Sequence, residues 1–234
     1  MALKLGAYTA CLHDRPLEAA LEVLESNGLT SVEVNTGGFI PSPHCHWDVA
    51  AGFWTGIDAL ARASGVRVAI EMHPHNLVFS PVTLRKLIAL TGASSIGAEM
   101  DPSHLMWQGM DIVASIRWLG PLVFHAAAKD AMITPGVAIR GVLDTSFERV
   151  PAGAEGTVPT GYGSWCGAWP QDPAWRFVAV GVGHDVPYWT EFLRALAEVD
   201  PDMAVNIEHE DASYSRLDGL AIAAANLRAA AAKM

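Results

Sequence analysis

Residues 66–101 read VRVAIEMHPHNLVFSPVTLRKLIALTGASSIGAEMD, and this stretch decides the fold. Val66 to Glu71 is a short apolar run that ends in a carboxylate, Val82 to Leu90 repeats apolar residues at helical spacing, and Ile96 to Asp101 is again an apolar run closed by an acid. Strand, helix, strand, with a chemically capable residue at each strand end, is the βα organisation of a parallel sheet.

The same unit recurs on both sides. Upstream, a strand from Leu3 to Ala10 precedes a helix with Asp14 as N-cap, Pro16 in its first turn and Leu17, Ala20, Leu21 and Leu24 on one face. Gly28 closes that helix, and a second strand, Ser31 to Asn35, runs into a Gly- and Pro-rich loop. Downstream, strands are expected at Leu122 to His125 and Met203 to Glu208, with helices at Val49 to Ser64, Met110 to Leu119, Pro187 to Val199 and Leu217 to Lys233. Residues 133–174 are rich in Gly, Pro, Thr and Trp with little periodicity, the composition of a functional loop or lid packed by Trp165, Trp169 and Trp175. After it, Trp175 to Gly181 reads equally as an extra strand and as a covered loop edge.

Six βα units are legible, where a closed barrel of this type needs eight strands. The expectation is one α/β domain over residues 1–234, a (β/α)8 TIM-barrel-like fold that is incomplete, with about two βα units missing between strand 2 and the Glu71 strand. A natural deletion, a shortened chain and a barrel completed by a partner subunit all remain open. Exposed sheet edges are normally paired or covered, which favours a homodimer.

With 51% hydrophobic and 17% charged residues, the chain has ample material for one core. A net charge of −10, with 15 Lys and Arg spread thinly, disfavours nucleic acid as a partner. No apolar run approaches the roughly 18 to 20 residues of a membrane-spanning helix, and the opening residues lack a secretory signal, so a cytoplasmic location is expected. Cys11, Cys45 and Cys166 form no C-x-x-C pair, which argues against a disulfide framework or a zinc knuckle.

In a parallel βα fold the strand C-termini share one face, so ligands distant in sequence meet there. Glu71, Asp101 and His125 lie about one βα unit apart, and Glu208 ends the last strand, with Glu210 as a competitor for its place. A single strand-end carboxylate is ordinarily a cap or a surface charge. Three carboxylates and an imidazole in phase form instead a largely oxygen site for one divalent metal ion, with Mn²⁺, Mg²⁺ or Co²⁺ favoured and Zn²⁺ less so.

The strings IEMHPHN (70–76), MDPSHLMWQGMD (100–111), HAAAKD (125–130) and IEHED (207–211) resemble, in order, the metal-bearing strand ends of the sugar phosphate isomerase/epimerase superfamily, the xylose isomerase-like TIM barrels that include ketose 3-epimerases and inosose dehydratases. The resemblance covers most of the chain and implies Glu71, Asp101, His125 and Glu208 as metal ligands, with His104, three residues after Asp101, touching substrate oxygens. Many relatives place the metal histidine two residues before the Lys-Asp pair, where this chain has Ala127. Residues 125 and 127 face the same way on a strand, so a small bulge would restore the geometry.

The chemistry so implied is that of an isomerase or epimerase of a small sugar or cyclitol, with or without a phosphate, acting through a metal-stabilised enediolate. Glu71 and Glu208 would remove and return the proton. His104 would orient a hydroxyl and Lys129 would offer a cation, while His73, His75, Glu33, Asn35 and His184 are secondary substrate contacts in strand-end loops. His44 and His46, beside Pro43, read as loop residues. An inosose-type dehydratase, a metal-dependent hydrolase related to endonucleases, and an inactive truncated member remain as alternatives.

Overall fold

The run Ile96–Met100 is buried almost throughout, as a strand covered on both faces must be. The computed structural model describes residues 3–8, 12, 15–33, 47–74, 76–144, 158–161, 164–166 and 172–234; the side chains of Leu17, Glu33, Asp48 and residues 158–166 lie outside that description. So do Cys11, Asp14, Asn35, His44, Cys45, His46, His75 and Trp169 altogether.

In chain order the elements are β1 (Lys4–Tyr8), α1 (Leu17–Ser26), β2 (Ser31–Glu33), α2 (Trp47–Ser64), β3 (Val68–Glu71), α3 (Pro81–Thr91), β4 (Ile96–Met100), α4 (Ser103–Met106), α5 (Ile112–Leu119), β5 (Val123–Ala128), β6 (Asp130–Ile133), α6 (Val137–Arg140), β7 (Val158–Gly161), β8 (Ser164–Cys166), β9 (Trp175–Val178), α7 (Val186–Val199), β10 (Ala204–Ile207) and α8 (Arg216–Ala231). The main sheet runs β2-β1-β10-β5-β4-β3, parallel throughout. Its edges are β2 and β3, and among the described residues nothing closes the barrel between them. The gap falls where the two absent βα units were expected.

Helix starts follow local chemistry. Ser80 and Thr83 form a capping box ahead of α3, while Asp111, Asp185 and Ser215 accept from the backbone N–H groups of Ala114, Tyr188 and Asp218 at the starts of α5, α7 and α8. The start of α1 corrects the sequence reading: its N-cap is Pro16 rather than Asp14, because the extended Pro16 backbone leaves the helix to begin at Leu17. The core lies between the sheet and its helices, with Leu84 and Leu87 of α3, Ile116 and Leu119 of α5, Trp189, Phe192, Leu193 and Leu196 of α7, and Leu220 and Leu227 of α8 all fully buried. A satellite cluster joins Trp107 to Trp175, stacked at 4.6 Å and 4°, under the antiparallel β6–β9 ladder.

Inside the barrel, Gly6 lets β1 pass close to its neighbours, since a Cβ there would overlap Ser31 O and Asn206 Oδ1. Gly6→Ala is therefore expected to cost about 1–3 kcal/mol through overpacking. Urea unfolding checks this; an unchanged midpoint would mean that Ser31 and Asn206 step aside freely.

Candidate metal and proton-transfer site

The parallel order of β3, β4, β5 and β10 brings their C-terminal ends together. Glu71 ends β3, Asp101 follows β4, Lys129 follows β5 and Glu208 follows β10. Asp101 is wholly buried, and its Oδ1 accepts from Ser103 N at 2.8 Å and Ser103 Oγ at 2.7 Å, which fixes the carboxylate and leaves Oδ2 aimed inward. The short helix α4 then turns His104 back over its own strand end. His104 Nε2 lies 3.3 Å from Asp101 Oδ2 and 3.1 Å from Glu71 Oε1.

Glu71, Asp101 and His104 thus each offer one ligand atom, all within 4.8 Å of one another. Asp101 Oδ2 and His104 Nε2 are both buried without a well-formed hydrogen bond. Such groups are costly unless something satisfies them, and a cation held between two carboxylate oxygens and an imidazole nitrogen does so. The donor set fits a divalent metal.

A second set of contacts centres on Lys129, whose side chain is 3% exposed. Its Nζ sits 2.8 Å from Glu208 Oε1, 2.9 Å from Glu210 Oε2 and 3.8 Å from Asp101 Oδ2, and 4.3 Å from the centroid of the Phe177 ring. The Phe177 ring also meets His104 nearly at right angles, and the His73 ring lies 4.2 Å from that of His104. His73 is pushed below its ordinary value by burial first and by His104 next, against the pull of Glu71.

Burial pushes the Glu71 carboxyl up, but the neighbouring His104, Lys129 and His73 outweigh it and hold the group at about 2. At Glu208 burial, Glu210 and Asp101 push the carboxyl up while the Lys129 ammonium, 2.8 Å away, pulls it down. Burial works against the Lys129 charge too, yet Glu208, Glu210 and Asp101 keep it firmly protonated.

His125 stands elsewhere. The sheet pairs Glu99 with His125 and Met100 with Ala126, so His125 is one inward-facing step below the level of Asp101. There His125 Nε2 is 4.0 Å from Glu99 Oε1 and 3.4 Å from Asn206 Nδ2, and Ser31 Oγ donates to Asn206 Oδ1 at 2.7 Å. The register irregularity in this pair falls between Ala98 and Glu99 on β4. It does not lift His125 to Asp101.

His184 is held by Asp130 at 2.7 Å and lines a cavity of about 420 Å³ with Met106, Met110, Asp111 and Tyr188, a lining that does not include Glu71, Asp101, His104 or Glu208. The Glu33 side chain lies outside the described residues. Sequence reading passed over Ser103, Phe177 and the inner polar layer of Glu99, Asn206 and Ser31. Asn206 and Glu99 were detectable by period, since each lies two residues before a strand-end acid and so on the same face.

A family model for the xylose isomerase-like TIM barrel matches residues 16–232. The chain belongs to the xylose isomerase-like TIM barrel family. The uncharacterized protein YfiH of Bacillus subtilis (strain 168) is 32% identical over 175 residues, 74% of this chain and 50% of that protein. This chain therefore spans about half the length of that relative. Two solved family barrels share the fold: a xylose isomerase domain protein of Alicyclobacillus acidocaldarius subsp. acidocaldarius (TM-score 0.64, 12% identity, 99% of both chains) and a D-allulose 3-epimerase of Methylomonas sp. (TM-score 0.59, 10% identity, 100% of this chain and 98% of that one). At such identities the likeness is one of fold alone. Among the described residues no helix is long and apolar enough to cross a membrane.

Proposed function

We propose that this chain is a divalent-metal-dependent isomerase or epimerase of a small sugar or cyclitol, acting by proton transfer beside a carbonyl. The observation that carries this reading is the convergence of Asp101 Oδ2 and His104 Nε2, buried and unsatisfied, on Glu71. Glu71, Asp101 and His104 would hold the cation, with Mn²⁺, Mg²⁺ or Co²⁺ favoured by two oxygens and one imidazole. When bound, it supplies charge stabilisation to a polarised carbonyl oxygen.

The protein's own groups supply the proton traffic. Glu71, at the end of β3 and 3.1 Å from His104 Nε2, is the base that takes a proton from the carbon next to the carbonyl. Glu208, across the same strand ends and bonded to Lys129 at 2.8 Å, is the group that returns one. Return to the opposite face of the same carbon is epimerisation; return to the neighbouring carbon is isomerisation. Lys129 and His73 border the same space and would orient substrate oxygens, with the Phe177 ring packed against Lys129. That a D-allulose 3-epimerase has the same fold supports this reading.

The test pairs metal binding with proton exchange. His104→Ala is expected to weaken Mn²⁺ binding by about tenfold or more, while His125→Ala changes it by less than about threefold. Ketoses and inososes incubated with the wild type in D₂O are expected to gain deuterium at the carbon beside the carbonyl, read by NMR. A folded wild type that takes up no metal, or one that loads metal and exchanges no C–H across the panel, defeats the proposal.

A further inference from the structure

Two positive groups are directed at the same carboxylates. The reading of Glu71, Asp101 and His104 as a cation site places a divalent ion on Asp101 Oδ2, 3.3 Å from His104 Nε2. That same oxygen is 3.8 Å from Lys129 Nζ, which is already bound to Glu208 at 2.8 Å and Glu210 at 2.9 Å. We propose that Lys129 is an internal competitor for the divalent cation, its ammonium occupying the position from which Glu208 would otherwise complete the metal shell. This inference rests on the proposed metal site and goes beyond it, because it makes metal loading conditional on where one lysine side chain lies.

The surroundings of Lys129 explain how it reaches that position. Ala127 precedes it on the same inward face of β5 and is wholly buried, so a methyl group stands where a larger side chain would separate the ammonium from Asp101. The Phe177 ring, 4.3 Å from Nζ, backs the charge with a favourable π face. The three acids also differ in depth: Asp101 is wholly buried, Glu208 is 12% exposed and Glu210 47%. A withdrawing ammonium therefore keeps Glu210 as its partner on the solvent side while it releases Glu208 and Asp101. The exchange costs no lost pair, because the incoming ion neutralises the acids that the lysine leaves.

Two consequences separate this role from simple substrate binding. With Lys129 in place, the site holds a divalent ion more weakly than its ligand count implies, because two like charges a few ångströms apart repel. Without Lys129, the buried acids lack their counter-charge, and the divalent ion becomes the main stabiliser of this end of the barrel.

The experiment is Mn²⁺ titration of purified protein, with thermal unfolding in EDTA and in saturating Mn²⁺, for the wild type, Lys129→Met, Lys129→Gln and Lys129→Arg. The two neutral variants are expected to bind Mn²⁺ about tenfold more tightly than the wild type, the order set by removing one nearby charge. Their melting temperature should also rise more on loading than that of the wild type. Lys129→Arg keeps the charge and is expected to bind no more tightly than the wild type. Where Lys129→Met folds only with metal present, the EDTA concentration that strips Lys129→Gln gives the same comparison. Equal or weaker binding by both neutral variants, with one equivalent still bound by the wild type, overturns the competition and leaves the metal site standing. No uptake by the wild type or either neutral variant overturns both.

Discussion

Asp101→Ala is expected to abolish stoichiometric Mn²⁺ uptake and to lower turnover by about a thousandfold or more, with the fold retained. The effect is large because Asp101 is the one group common to both arrangements at the strand ends: its Oδ2 faces His104 at 3.3 Å and Lys129 at 3.8 Å. Its other oxygen is clamped by two bonds from Ser103, so the carboxylate is set before any ligand arrives. That preorganisation is what a neighbouring acid cannot reproduce. The fold should survive because Lys129 keeps Glu208 and Glu210, and Ser103 N begins a helix whose start is no longer than one turn. Ser103→Ala removes only the hydroxyl half of the clamp and should weaken Mn²⁺ binding by about tenfold, in the range of other supporting ligand-shell changes. Equilibrium dialysis with metal analysis reads both. One equivalent of Mn²⁺ retained by a folded Asp101→Ala protein would move the site away from this strand end.

Most of what positions this site is local, and local signals survive in sequence. An apolar run that stops at an acid locates Glu71 on β3, Asp101 after β4 and Glu208 after β10 without reference to any other element. The missing wall is equally legible, because a barrel's strand count is carried by the chain itself. Height within the barrel is different. Period-2 alternation places His125, Ala127 and Lys129 on one face, but which of them stands level with Asp101 depends on cross-strand register, and β5 continues to Ala128 where the sequence reading stopped it at His125. The ammonium among three acids is less legible still, since Lys129 meets Glu208 and Glu210 about eighty residues away and its protonation is set by all of them at once. The β6–β9 ladder was obscured for another reason: its four-residue strands flank a long stretch with little periodicity, and their pairing covers the Trp107–Trp175 stack rather than extending the barrel.

Asp130, which follows Lys129, has a separate duty, and its loss should be felt in stability. The residue is wholly buried, and its Oδ2 accepts from the backbone N–H groups of Gly181, Gly183 and His184 at 3.1, 3.1 and 3.0 Å, while Oδ1 meets His184 Nδ1 at 2.7 Å. These bonds tie β6 to the turn between β9 and α7. Gly181 adopts φ 91°, a left-handed conformation that disfavours side chains, so the turn cannot readily refold around a different anchor. Asp130→Ala leaves three amide N–H groups and an imidazole facing a methyl, which is expected to cost about 3–5 kcal/mol, the range for breaking a buried charged network on one side. For a chain of this size that is a fall in Tm on the order of 10 °C. His184→Ala removes only the imidazole and leaves the carboxylate bound to its backbone donors, so a loss of about 1–2 kcal/mol is expected. Urea unfolding of the two variants separates the contributions. If Asp130→Ala unfolds at the wild-type midpoint, water satisfies those amides and the turn stands without its anchor; if it falls as expected while His184→Ala barely moves, the aspartate acts through the backbone.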